Sequence, residues 1–233
     1  MEENSVISAV EEKLQNILNS YSLDFAKHIQ TSDIARISTI WNSVPLQLFK
    51  ENRKFIYKLI KPGARAKEYE DALLWLEHGW LVYRIFCISK PALPLSAYDD
   101  LTAFKIYLSD IGLLRKLAKL PQEVVLLNNN LFIEFKGALA ENFVVQSLVN
   151  HFDVKPKYWG SHGKAEVDFI LQNGVDIIPI EVKSAASAAS KSLAEYDKKY
   201  SPQIRIRYSL NNFKKDENLL NIPIFFADWT KKY

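Results

Sequence analysis

The sequence has few of the features that mark secreted or membrane proteins. Its 233 residues contain one cysteine, Cys87, so no internal disulfide can form. It has no uninterrupted apolar run of about 18 residues, the length from which a membrane-spanning helix is recognised. The opening stretch MEENSVISAVEEK is acidic and lacks the apolar core of a signal peptide. We therefore expect a cytoplasmic protein with no membrane contact, in which Cys87 is buried within the apolar run LVYRIFCIS.

Positive charge is not abundant overall but is concentrated in one stretch. The formal net charge of +3 does not by itself indicate a nucleic-acid partner. Residues 50–67, however, carry seven lysines or arginines against one glutamate, with aromatic residues between them. This stretch predicts either a DNA-contacting surface or a solvated helical face. The candidate nucleic-acid-binding residues are Arg53, Lys54, Lys58, Lys61 and Arg65.

The first half of the chain shows helical spacing and then two apolar strands. We expect a helix over residues 5–30, a second from about residue 31, and a separate short helix PLQLFKEN that begins at Pro45. ARAKEYEDALLWLEHG predicts a further helix with Leu73, Leu76 and Trp80 on its apolar stripe. The runs LVYRIFCIS and FKIYLSD predict paired strands. Three helices followed by two strands are typical of a winged helix.

The pattern changes near Pro121 and the Asn128–Asn130 run, which predict a domain boundary. We expect an N-terminal helical segment (1–30), a winged-helix-like domain (31–127) and a third domain (128–233). In the third, a helix over 137–151 precedes the strands KYWG, VDFIL and VDIIPIEVKS. A helix near 191–199 and the strands QIRIRYSL and IPIFFADW follow. This order predicts a mixed sheet, and the fold class of the whole chain is α/β (α+β).

Acidic residues occur within two of these apolar strands, which an Asn173-Gly174 dipeptide joins. Asn-Gly between two such runs is a strong signal for a two-residue hairpin turn. In that register Asp168 faces Pro179 and is diagonal to Glu181. Because side chains two residues apart share a face, Asp168, Glu181 and Lys183 point to the same side of the sheet. The same register places Glu166 opposite Glu181.

Carboxylates that converge on one face repel each other unless a cation lies between them. Hard divalent ions such as Mg²⁺ and Mn²⁺ prefer carboxylate and carbonyl oxygens, and the carbonyl of Val182 is a further candidate ligand. Lys183 beside such an ion can orient water or neutralise charge that develops on a phosphate. The structural alternative is an ion pair of Lys183 with Asp168 or Glu181.

A further carboxylate, Glu141, belongs to the helix that precedes the hairpin. Its spacing to Val145, Leu148 and Phe152 places it on the inward, apolar stripe, which favours a role in the site. The alternative is a first-turn glutamate that the helix dipole stabilises.

At these residues the chain resembles the PD-(D/E)xK nuclease superfamily, which has the restriction-endonuclease-like fold. Glu141 matches the helix carboxylate, Asp168 the motif aspartate, and Glu181-Val182-Lys183 the (D/E)xK element. Several stretches are also similar to the C-terminal part of prokaryotic AAA+ family ATPases that carry the domain of unknown function 4143, among them GARAKEYEDALLWLEHGWLVYRI, GALAENFVVQSL, YWGSHGKAEVDFI and IPIEVKS. This similarity extends from about residue 31 to residue 229.

The resemblance implies a winged-helix-like segment and a nuclease-like domain that follow an ATPase domain in cis. It also implies Glu141, Asp168 and Glu181 as ligands of Mg²⁺ or Mn²⁺, with Lys183 as a catalytic residue. The chain departs from the family because it contains no G-x-x-x-x-G-K-[ST] motif, so we expect no P-loop binding of ATP. Two functions follow: a metal-dependent nuclease, or a non-catalytic module that binds DNA or protein and regulates the ATPase.

Overall fold

Helices fill the first part of the chain, and strands occupy most of the second. The computed structural model describes residues 2–28, 31–50, 53–126, 133–152, 154–161, 165–184 and 190–232. Its α-helices are α1 (Glu2–His28), α2 (Thr31–Phe49), α3 (Tyr57–Ile60), α4 (Ala66–His78), α5 (Ile111–Leu117), α6 (Gln122–Leu126), α7 (Ile133–His151) and α8 (Lys191–Tyr200). Its strands are β1 (Val82–Ile88), β2 (Asp99–Leu108), β3 (Lys157–Gly160), β4 (Glu166–Asn173), β5 (Asp176–Val182), β6 (Arg205–Ser209), β7 (Lys214–Asp216) and β8 (Leu219–Pro223). The predicted α/β fold class is confirmed.

The chain divides into two compact units. The first consists of Met1–Tyr83 and Ile106–Ile133, and the second of Arg84–Lys105 and Glu134–Tyr233. Residues 84–105, which we grouped with the preceding helices, belong to the second unit because β1 pairs in parallel with β3. The predicted boundaries after residues 30 and 127 lie at the edge of or within segments outside the described residues. The winged-helix assignment of residues 31–127 stays a prediction.

In the first unit, α2 continues through Pro45, so the separate helix expected from that residue is wrong. A proline inside a helix removes one backbone hydrogen bond and costs about 3 kcal/mol. The stripe of apolar side chains is nevertheless continuous across the proline, and its burial outweighs this cost. The buried members of the stripe are Ile37, Ile40, Trp41, Val44 and Leu48.

The end of α4 corrects a second expectation. The helix ends at His78, and the Gly79 N–H closes its last turn on the Trp75 carbonyl. Trp80 then has a positive φ of 56° and is exposed, although we predicted it on the apolar stripe. The left-handed residue after the helix turns the Trp80 side chain away from the stripe that Leu73 and Leu76 share.

The sheet of the chain has the strand order β2-β1-β3-β4-β5-β6-β8-β7. Strands β3, β4 and β5 are antiparallel, whereas β5, β6 and β8 are parallel. The predicted order of helix, three strands, helix and strand is confirmed by α7, β3–β5, α8 and β6. The mixed pairing follows from connectivity, because a tight turn joins β4 to β5 whereas the α8 crossover joins β5 to β6.

One face of the second unit packs around Trp159. Its ring makes an edge contact with Tyr196 of α8 at 5.3 Å, and the cluster includes Val167 and Ile170 of β4. Cys87 of β1 is only partly buried, so its expected full burial is wrong. The predicted strand IPIFFADW is strand only at its start, because β8 ends at Pro223 and a 3₁₀ helix spans Ile224–Lys232. Among the described residues, no helix combines the length and apolarity needed to span a bilayer.

Candidate functional site

The hairpin between β4 and β5 sets the position of the candidate site. Asn173 pairs with Asp176, and Gln172 pairs with Ile177. The turn therefore consists of Gly174 and Val175. The pairing of β4 with β5 differs by two residues from the register that we predicted. Gly174 has a φ of 61° and occupies the first central position, where glycine takes a positive φ without strain. Val175 is 82% exposed at the tip.

The observed register brings Asp168 and Glu181 closer than the predicted one. The ladder runs to the pair Phe169–Ile180, so the next step places Asp168 directly opposite Glu181 rather than diagonal to it. The Val182 N–H donates to Asp168 Oδ2 at 2.8 Å. The expected position of Glu166 opposite Glu181 is wrong, because the observed register is shifted by two residues from the predicted one. Glu166 binds the buried ammonium of Lys105 at 2.5 Å.

Glu181 is a buried carboxylate with several hydrogen-bond donors around it. Its side chain forms an ion pair with Lys183 and accepts a hydrogen bond from the Ser190 hydroxyl. Burial raises the pKa of Glu181, and the negative charge of Asp168 raises it further. Lys183 and the backbone N–H of Leu193 oppose this increase in pKa. Because Ser190 and Leu193 lie at the start of α8, Glu181 also interacts with the positive end of the helix dipole.

The donor set suits a hard cation held by two carboxylates. The Val182 N–H points toward Asp168, and in an extended strand the carbonyl of the same residue points to the same side. Asp168, Glu181 and the Val182 carbonyl therefore offer oxygen ligands at one edge, which fits Mg²⁺ or Mn²⁺ with water completing the coordination.

Glu141, the third carboxylate of the predicted site, belongs to α7. Glu141 is buried on α7, which agrees with its place on the inward stripe. Over the described ranges, however, no group of three or more His, Cys, Asp or Glu side chains has an arrangement that could hold a metal ion. Asp168, Glu181 and Lys183 lie together at the hairpin, and the role of Glu141 as a further ligand stays a prediction.

The basic stretch lies in the first unit around α3 and the start of α4. Lys54, Lys58, Lys61 and Arg65 are exposed to solvent. Arg53 is half-buried and has a positive φ of 48°. The exposure agrees with either a phosphate-binding surface or a solvated face.

Two neighbours of the carboxylate pair were missed in the sequence. Ser190 stands immediately before α8, where a hydroxyl side chain is a frequent helix-capping residue. Arg207 pairs with Glu181 in the parallel β5–β6 register and therefore shares its face of the sheet. The alternation in QIRIRYSL was the available signal for the second residue, since period two places Arg205 and Arg207 on one face.

The second unit also contains a cavity of ≈ 220 Å³ at the other end of the hairpin. It lies beside Val175, Ile177, Tyr196 and Tyr200, near the amino end of β5. Glu181 lies near the carboxyl end of the same strand. The cavity is therefore separate from the carboxylate pair.

The fold defines a mixed α/β protein with a helical N-terminal part and a sheet that carries a carboxylate–lysine group. The family model of a domain of unknown function (DUF8612) matches residues 6–124. Because this match covers more than half of the chain, the protein belongs to that family.

A second family model, also of a domain of unknown function (DUF4143), matches residues 136–225. The resemblance to domain 4143 is thereby confirmed for the segment that contains Glu141, Asp168, Glu181 and Lys183. The first half of the chain, where we expected the same similarity to begin near residue 31, matches the other family model. No curated protein and no solved structure matches the chain.

Proposed function

We propose that residues 136–225 form a PD-(D/E)xK nuclease-like domain that hydrolyses phosphodiester bonds in nucleic acid with a divalent cation. The observation that supports this proposal best is the β4–β5 register, whose next step beyond the Phe169–Ile180 pair sets Asp168 against Glu181, with Lys183 bound to Glu181. These residues lie within the order α7, β3, β4, β5, α8, β6. A bare D-x(12)-E-x-K spacing occurs by chance. A chance match would not be expected to place the three side chains together on two paired strands.

In the proposed reaction, each residue has a separate task. Asp168 and Glu181 hold the cation together with the Val182 carbonyl, and a bound Mg²⁺ or Mn²⁺ supplies positive charge for the phosphate and a more acidic water. With a cation bound to Glu181, the Lys183 ammonium would no longer be needed to balance the charge of that carboxylate. It would then be available to a phosphate oxygen. There it would stabilise the negative charge that develops as water attacks phosphorus, one P–O ester bond breaks and the leaving oxygen takes up a proton from solvent. The N–H of Val182 keeps Asp168 oriented.

The alternative function is a non-catalytic module that binds DNA or a protein and regulates an ATPase in cis. This alternative is supported by the partners of Glu181, which forms an ion pair with Lys183 and accepts hydrogen bonds from the Ser190 hydroxyl and the Leu193 N–H. These donors are enough to satisfy a buried carboxylate without an ion. In this alternative, Glu181 anchors the start of α8, and the basic stretch around Lys54 and Lys58 supplies the contact with DNA.

A cleavage assay with two variants separates the functions. The wild-type chain is incubated with single- and double-stranded DNA and RNA in EDTA, Mg²⁺ or Mn²⁺. We expect cation-dependent cleavage that Lys183→Ala reduces by about 100-fold or more, the usual effect of removing one charge-stabilising donor. Lys191→Ala, an exposed lysine at the start of α8, is the matched control and should cleave normally.

The same variants test the role of the cation. Lys183→Ala should retain stabilisation by Mg²⁺ because an ammonium group is not a metal ligand, whereas Asp168→Asn should lose both cleavage and stabilisation. Full cleavage by Lys183→Ala would contradict the assigned roles. If the wild type neither cleaves any substrate nor responds to divalent cations, the binding module replaces the nuclease.

A further inference from the structure

Three parallel strands end side by side next to the carboxylate pair. Val182 of β5 pairs with Tyr208 of β6, and Ser209 of β6 pairs with Pro223 of β8. Neighbouring strands lie about 4.8 Å apart, so the segments that follow β6 and β8 begin one and two such spacings from the strand that carries Glu181 and Lys183. Ligands of sheets with parallel strands commonly bind beyond the carboxyl ends of those strands.

This edge exposes four large apolar side chains, which we call the edge aromatic surface: Leu210, Phe213, Phe225 and Phe226. Their exposed fractions are 53%, 51%, 67% and 38%. The rings of Phe225 and Phe226 lie 4.7 Å apart. Phe213 immediately precedes the Lys214–Asn221 pair of β7 and β8, which places it beside the end of β8. A group of exposed apolar side chains in one place indicates a contact surface.

A buried polar network fixes the loop that carries Leu210 and Phe213. Asn221 of β8 accepts hydrogen bonds at Oδ1 from Arg207 Nε (2.9 Å) and the Ser209 hydroxyl (2.8 Å). Its amide nitrogen donates to the carbonyls of Asn212 (2.9 Å) and Asn211 (3.3 Å) in the loop. Because both ends of the Asn221 amide are bonded, the path of the loop is set before any ligand binds. A preorganised surface loses less conformational entropy on binding.

We infer that the edge aromatic surface stacks against unpaired bases, so that the substrate class of the proposed site is single-stranded nucleic acid. This inference rests on the proposed function, because the adjacent Asp168, Glu181 and Lys183 select a phosphodiester. Aromatic rings stack on bases of any sequence, but the bases of a duplex already stack on each other. The exposed Lys215 contributes positive charge for the backbone.

A protein partner fits this surface less well. Stable protein interfaces bury about 800 Å² on each partner. Four partly exposed side chains, bounded by the polar residues Asn211, Asn212 and Lys214, form a much smaller apolar area. Stacking with one or two bases requires only such an area.

The test measures the affinity of the full chain for a fluorescent single-stranded oligonucleotide and a matching hairpin duplex by anisotropy, with EDTA present to prevent cleavage. Phe225→Ala and Phe213→Ala should each weaken single-strand binding roughly 5- to 150-fold, the range for loss of one base stack. Phe225→Tyr should restore wild-type affinity because it retains an aromatic ring. Val175→Ala, at the exposed hairpin tip, is the control and should bind normally.

The outcomes separate this inference from the proposed function. Unchanged single-strand affinity in both Phe→Ala variants, or equal losses for single strand and duplex, would overturn the inference while leaving cleavage by Asp168 and Lys183 intact. The inference would also be overturned if Phe225→Ala converted a dimer to a monomer in sedimentation, because the surface would then bind a second copy of this chain. If the chain cleaves no substrate but its Phe→Ala variants bind the single strand more weakly, base stacking on the edge aromatic surface is supported and only the proposed nuclease activity is refuted.

Discussion

Replacement of Asp168 by Asn removes one charge from the carboxylate pair and keeps the shape of the side chain. The Asn Oδ1 can still accept the hydrogen bond that the Val182 N–H donates to Asp168. The variant therefore changes mainly the electrostatic interaction with Glu181, whose pKa the Asp168 charge raises. We expect Asp168→Asn to stabilise the metal-free protein and to abolish its response to divalent cations.

The magnitude follows from the hairpin register. The Cβ atoms of directly opposed residues lie about 5 Å apart. At an effective dielectric constant near 20, two unit charges at that separation repel by roughly 3 kcal/mol. Lys183 offsets much of this repulsion because its ammonium is bound to Glu181. We therefore expect a net gain of about 1 kcal/mol in the free energy of unfolding, which raises the melting temperature by about 2–4 °C for a chain of this size.

The cation should stabilise the wild type and leave the Asp168→Asn variant unaffected. An ion that binds only the folded wild type stabilises it by about 2.7 kcal/mol at a hundredfold excess over its dissociation constant. That stabilisation corresponds to a rise of roughly 5–10 °C in the wild type. Asp168→Asn lacks one of the two carboxylate ligands, so its melting temperature should not change.

The assay is thermal unfolding by circular dichroism in EDTA and in millimolar Mg²⁺ or Mn²⁺. Asp176→Asn is the matched control, because Asp176 is an exposed aspartate at the other end of the same hairpin. It should match the wild type in both conditions. Two results together would refute the reasoning: an Asp168→Asn variant that is less stable than the wild type in EDTA, and a wild-type melting curve that divalent ions do not move. The pair would then be a structural part of the hairpin.

Three further predictions concern the first unit. Alanine at Arg53, Lys54 and Lys58 should weaken DNA binding and reduce the slope of log affinity against log salt by about 0.9 for each phosphate that is no longer neutralised. A titration of DNA binding against KCl measures this slope, and an unchanged slope would exclude these three residues from the interface. The pKa of Glu11 is lowered, first of all by the hydrogen bond that Lys116 donates to it. Its stabilising effect is therefore present above the ordinary glutamate pKa of 4.5 and is lost as the pH falls through the lowered pKa of the folded state. Glu11→Gln should cost about 0.5–1 kcal/mol in urea unfolding at neutral pH and nothing in strong acid, and equal losses at both pH values would contradict this. Pro45→Ala should stabilise the chain by about 1 kcal/mol or more, because it restores a hydrogen bond inside α2, and a lower urea midpoint would show that the proline is required.

Local sequence determined which segments become helices and strands, and which side chains share a face. Apolar spacing predicted α4, α7 and the order of the strands that follow, since burial of one face requires that spacing. Asn-Gly predicted the β4–β5 hairpin. The shift of two residues in its register kept Asp168, Glu181 and Lys183 on one side, because the side-chain period of a strand is also two. The grouping of these residues was therefore predictable even though the register was not.

Contacts between distant residues decided the rest. Gly174 rather than Asn173 took the first turn position, and this choice made Asp168 the direct neighbour of Glu181. Glu166 binds Lys105, which lies 61 positions earlier in the chain, so local spacing could not reveal the pair. Burial against neighbouring helices kept Pro45 inside α2, although its backbone chemistry predicts a helix start. For Glu166 and Pro45 a free energy gained between segments exceeds a local preference, and only the tertiary structure shows which segments meet.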